Sequence, residues 1–167
     1  MTAWSVRHRG ANGRRGQAPE AGAGEREFVI EDSLGYRVNR AARVMAQQLA
    51  DELRPAGVLI GQWAVLMFLW ARDGMSQAEL SRVVAIEPPT MVRTIDRMVR
   101  DGLVERRPDS TDARISRIQL TDRGRGLRDE LIPKAVAVNE RMLARLSASE
   151  GRTLLRLLAK LGQHDSR

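Results

Sequence analysis

Cysteine is missing from the 167-residue chain. Its absence excludes disulfides, thiolate nucleophiles, cysteine-ligated metals and a thiol-based oxidation switch. Histidine occurs twice, as His8 and His164, each in a terminal segment where no neighbouring element holds an imidazole in place. There is no glycine-rich phosphate loop and no set of ligands at metal-binding spacing, so the sequence gives an enzyme reading little to stand on and no cofactor is expected. Aromatic residues make up 4% of the chain against 43% hydrophobic residues overall, so the core must be built from Leu, Val, Ile, Ala and Met. The longest unbroken apolar run, Trp63 to Ala71, falls far short of the roughly 20 residues that a bilayer-spanning helix needs. With no signal-peptide pattern either, a cytoplasmic protein without membrane contact is expected.

What the chain has in excess is arginine. Lys and Arg number 28 against 21 Asp and Glu, a formal net charge of +7. A guanidinium forks onto phosphate and fits a narrow minor groove, so the bias suits nucleic acid. A GC-rich genome enriches arginine as well, and composition alone does not decide between the two.

Residues 76–121 organise the rest. A helix opens at Ser76 with Glu79 three residues on, a capping box in which each side chain satisfies a backbone N–H of the helix start. Ala78, Leu80, Val83 and Val84 are its expected buried side. A second helix opens at Pro88-Pro89, where a missing N–H costs nothing. Met91, Ile95, Met98 and Val99 recur there at three- and four-residue steps as an apolar stripe, with Thr90, Arg93, Thr94 and Arg97 on the other side. Asp101-Gly102 ends it. Two strands follow, 104–107 and 115–120, the second alternating Ile118 and Leu120 with Arg117 and Gln119. A connection that only reverses the chain needs about two to five residues, and this one is longer, so its tip projects. The tip carries Asp112 and Arg114, with Arg106 and Arg107 at its base. The pattern is a winged helix-turn-helix, mainly α with a small β-hairpin.

This stretch resembles the DNA-binding domain of the MarR (multiple-antibiotic-resistance regulator) family. The matching pieces are Pro89-Thr90 and Arg93 on the second helix, the run Asp101-Gly102-Leu103-Val104-Glu105-Arg106-Arg107 into the wing, and Asp112-x-Arg114 ahead of Leu120-Thr121. Many members have a second arginine between the last two, where this chain has Ala113. The resemblance implies that the second helix enters a major groove, with Thr90 and Arg93 as readers. It also implies that Arg114, oriented by Asp112, reaches the adjacent minor groove. An aspartate in a DNA-facing tip repels phosphate, so holding the arginine by a charge-assisted pair is its sensible role; Asp109 reads as a turn former. Thr94 and Arg97 complete the recognition face, with an ion pair to an acidic neighbour as open for Arg97 as a DNA contact, and Arg106, Arg107 and Arg117 are expected on phosphates.

Around this lobe, residues 55–122, the sequence arranges long helices. Residues 1–27 lack periodicity and hold five arginines against three glutamates, a disordered basic tail. A helix over 32–54 carries Leu34, Val38, Ala41, Ala42, Met45, Leu49 and Leu53. A helix over 60–72 is apolar on nearly all sides and belongs in the middle of the fold. After Thr121 comes a helix that Pro133 is expected to kink, then a last helix opened by the capping box Ser147 and Glu150, with Leu154, Leu155, Leu157, Leu158 and Leu161. That leucine stripe is too wide for one neighbour. Residues 28–54 and 123–163 are therefore expected to form a dimerisation lobe, and the resemblance implies a homodimer. It further implies a small aromatic or phenolic ligand at the junction of the two lobes, for which Tyr36, Arg43, Trp63, Met67 and Trp70 are the candidates. The expected function is a sequence-specific double-stranded-DNA-binding transcriptional repressor on a pseudo-palindromic operator. A winged-helix protein–protein adaptor, its basic face merely solvated, is the alternative.

Overall fold

The structure, a computed structural model, describes residues 4–7, 26–109 and 115–162. The chain divides into two compact units, Met1–Ala46 and Gln47–Arg167.

In the first unit, β1 (Trp4–Arg7) pairs in parallel with β2 (Arg26–Val29), from Trp4 opposite Arg26 to Arg7 opposite Val29. Arg7 and Glu27 form an ion pair at 2.5 Å. Residues 4–7 and 26–27, expected within a disordered tail over 1–27, lie in strands, and the other residues of that stretch lie outside the described ones. A four-residue run is too short for periodicity to register, and its partner strand lies far along the chain. A 3-10 turn (Ile30–Asp32) leads to α1 (Leu34–Leu53). Ser33 accepts the Tyr36 N–H and donates to the Ile30 carbonyl, closing the helix start. Leu34, Val38 and Met45, on the side expected to join the dimerisation lobe, are exposed in the single chain.

In the second unit, Leu53 at the end of α1 is fully buried, and Gly57 turns the chain at φ 71°, in the left-handed region that favours glycine. Then come α2 (Ile60–Ala71), β3 (Met75–Ser76), α3 (Gln77–Val84), α4 (Pro88–Arg100), β4 (Val104–Pro108), β5 (Ser116–Leu120), α5 (Asp122–Leu143) and α6 (Ala148–Leu161). The three strands form an antiparallel sheet in the order β3-β5-β4. The two-residue β3, unforeseen in the sequence, seats the start of α3 directly on the wing. This is a winged helix-turn-helix, mainly helical with a small sheet.

Leu66, Leu69, Leu80, Met91, Ile95, Met98, Leu103, Ile118 and Leu131 meet in one core. Each such side chain contributes about 1.5–3 kcal/mol by leaving water. The helices reach it with narrower faces than their sequences suggest. α2 buries Val65, Leu66 and Leu69 but exposes Met67 and Phe68. α3 buries Leu80 and Ser81 and half-buries Val84, while Ala78 and Val83 are exposed, so its buried side is rotated from the expected one. The Ser81 hydroxyl explains the rotation: it donates to the Ile86 carbonyl at 2.6 Å and so ties α3 to the turn before α4. Val99, counted in the stripe of α4, is exposed as well.

Polar groups fix how the elements meet. The buried Gln62 accepts the Leu59 N–H and donates to Asp101 at 2.7 Å, joining the start of α2 to the end of α4. Thr121 caps α5 as expected, accepting the Gly124 N–H and donating to the Gly102 carbonyl. Gly124 has no room for a side chain, because an added Cβ would overlap the Leu103 carbonyl oxygen, itself held by the Thr121 N–H. Trp70 donates its indole N–H to the Gly124 carbonyl at 2.9 Å. Pro133 lies inside α5, which continues as a helix on both sides of it. Ser147 and Glu150 form the expected capping box of α6, and the Ser147 hydroxyl and backbone N–H hold the Glu150 carboxyl below its usual range. Among the described residues no single helix is long and apolar enough to cross a membrane.

Candidate nucleic-acid interface

The second helix of the helix-turn-helix, α4, is built to show one side. Met91, Ile95 and Met98 are fully buried, which turns Thr90, Arg93 and Arg97 outward. Its start is set by the turn from α3, where Ala85 takes a left-handed φ of 57°, and by Pro88-Pro89, which need no N–H partner. Neither Arg93 nor Arg97 has an acidic partner among the described residues. Arg97, for which an ion pair was as plausible as a DNA contact, thus keeps its guanidinium exposed. Thr94 is half-buried, and its hydroxyl donates to the Thr90 carbonyl at 2.9 Å. That proton is spent within the helix, leaving Thr94 an acceptor only.

On the wing, the arginines divide differently. Arg106 donates to Asp96 of α4 at 2.7 Å, tying strand β4 to the recognition helix. Arg107 pairs with Glu105 at 2.6 Å and remains exposed. Arg117, expected on phosphates, is engaged by carboxylates of its own chain. Its Nε donates to Asp109 at 2.5 Å and its Nη1 to Glu79 at 3.0 Å, and the bond to Asp109 raises its pKa further. Asp109 is correspondingly no mere turn former, since its side chain is only 8% exposed and carries this pair. Asp112 and Arg114 lie outside the described residues. The Asp109 N–H donates to the Ile115 carbonyl at 2.9 Å, so the strands are still joined where the tip begins.

Sequence reasoning missed Asp96, Glu79 in its second role, and Asp109 as an ion-pair partner. Glu79 carried one signal, the capping box. In the structure, bonds from the Ser76 backbone N–H and hydroxyl lower its pKa, and Arg72 and Arg117 add to the effect.

The ligand candidates fall in different settings. Tyr36 and Arg43 line an open groove of about 600 Å³ in the first unit. In the second unit, Trp63 and Trp70 pack edge to face at 5.6 Å against the core, while Met67 is exposed. A second groove, of about 610 Å³, runs beside the recognition helix between Thr94, Arg97 and the start of α2. Among the described residues no group of His, Cys, Asp or Glu could hold a metal ion.

A family model described as MarR family matches residues 60–116. The chain is 32% identical over 129 residues to an HTH-type transcriptional repressor of Mycobacterium tuberculosis, which covers 77% of this chain and 93% of that protein. Its fold is similar to that of the transcriptional repressor CouR bound to a 23-mer DNA duplex, at a TM-score of 0.74 and 25% identity, over 80% of this chain and 95% of that one. It is also similar to a Mycobacterium tuberculosis MarR family protein in complex with salicylic acid, at a TM-score of 0.63 and 31% identity, over 80% and 98% of the two chains. Sequence and fold agree, and the chain belongs to the MarR family of transcriptional regulators.

Proposed function

We propose that the protein is a transcriptional repressor that binds a pseudo-palindromic double-stranded operator as a homodimer and leaves it when a small aromatic ligand binds. The observation that carries the DNA reading is the exposed edge of α4. Thr90, Arg93 and Arg97 lie opposite the fully buried Met91, Ile95 and Met98, and both arginines are unpaired among the described residues. In this reading Arg93 reads a base edge, Thr90 a base or phosphate, and Arg97 a phosphate. Arg107 contacts the backbone from the wing. Arg114, steadied by Asp112, enters the minor groove, an assignment supported by the family resemblance.

The homodimer is supported by the exposed leucines of α6 and the exposed apolar residues of α1. Two-fold symmetry then sets the half-sites about one helical turn apart. A dimer on such a site blocks polymerase sterically. The Mycobacterium tuberculosis relative's salicylic acid complex supports an aromatic carboxylate as effector. Arg43 beside Tyr36 offers a cation and a ring to such a molecule. A ligand that favours one spacing of the winged lobes shifts the DNA-competent population by its difference in affinity between the two states.

A gel-shift titration against salt tests the DNA reading. Six to ten phosphate contacts would lower affinity by roughly 10³–10⁵-fold between about 50 and 200 mM salt. A chain that shifts no duplex, or shifts it with no dependence on salt, would be an adaptor instead.

A further inference from the structure

The base of the wing is tied to the helix-turn-helix by a chain of charges. Arg117 on β5 donates Nε to Asp109, at the end of β4, and Nη1 to Glu79, in the first turn of α3. The other Glu79 oxygen accepts from Arg72 at 2.8 Å, at the end of α2. Asp109 also joins the two strands through its N–H, which donates to the Ile115 carbonyl. One guanidinium thus spans the two strands of the hairpin and the start of a helix in the body. An isolated exposed ion pair would hold little. Here the Asp109 side chain is 8% exposed, and Glu79 is already fixed by the Ser76 cap.

We propose that Arg117 is a positioning residue: through Asp109 and Glu79 it holds the hairpin at a set angle to α4, so that wing and recognition helix meet adjacent grooves of one duplex together. It contacts no phosphate itself. The role needs a planar fork that bonds two carboxylates at once, which lysine does not supply. The proposal rests on the DNA-binding reading above.

The test is footprinting of the full chain on its operator, with dimethyl sulfate for the major groove and hydroxyl radicals for the minor-groove sugars. The parent should protect both. Arg117→Met should keep the major-groove protection, lose the flanking minor-groove protection and weaken binding roughly tenfold, the scale of one charge-assisted hydrogen bond. Glu79→Gln retains the capping bond and should show the same selective loss in smaller measure, without depending on whether Arg117→Met folds. Unchanged minor-groove protection in both variants, with affinity within about twofold of the parent, overturns the proposal. An even loss in both grooves overturns it too, because that is the pattern of a phosphate contact. A parent that protects neither groove contradicts the DNA-binding reading itself, and the proposal falls with it.

Discussion

A chain carrying Leu154→Glu together with Leu158→Glu should sediment as a monomer and lose about 10²–10⁴-fold in operator affinity. The loss follows from geometry, because two linked half-site contacts act through an effective concentration that a single contact lacks. The substituted residues belong to a stripe in which Leu154, Leu155, Leu157, Leu158 and Leu161 are all exposed, the last at 63%. Burying a leucine is worth about 1.5–3 kcal/mol, so a second copy of the chain has much to gain by covering such a stripe. The fold itself does not depend on these side chains, since the core draws nothing from α6. Circular dichroism of the variant should therefore match the parent. A double variant that stays dimeric and binds its operator unchanged would show that the dimer is made elsewhere.

The second large effect is expected at Arg93. Arg93→Ala should relax the preference for one base pair by about 1–3 kcal/mol, the discrimination a bidentate arginine–guanine contact provides. Affinity for unrelated duplex should change little beyond the loss of one charge. The measurement is a competition series in which each operator position is substituted in turn. Preference should collapse at a single position in each half-site. Equal discrimination by parent and variant at every position would remove Arg93 from the reading face. Because the side chain is exposed and Met91, Ile95 and Met98 behind it are fully buried, stability is not expected to fall.

The legible parts of this molecule were those in which one local rule acts alone. The Ser76–Glu79 and Ser147–Glu150 boxes, the Pro88 start of α4 and its stop at Asp101-Gly102 all follow from neighbours within a few residues, and the structure has them. The exposed edge of α4 followed in turn from its apolar stripe. What stayed hidden depends on partners distant in the chain. The buried side of α3 was misjudged because Ser81 reads as polar, and only its bond to the Ile86 carbonyl makes it a buried residue. The pairing of β3 with β5 involves two residues, Met75 and Ser76, too few to show alternation. Arg117 looked like any other wing arginine, because its partners Glu79 and Asp109 each had a local explanation already. Gln62 meeting Asp101 across 39 residues left no mark on either local pattern.

The central claim is that α4 and the wing read one duplex together, twice, in a symmetric dimer. Sequencing the genomic DNA retained by the purified protein tests it most directly. The account predicts an enriched pseudo-palindrome whose half-sites lie about one helical turn apart. A retained pool with no shared motif, or one with a single half-site and no symmetry, would contradict it.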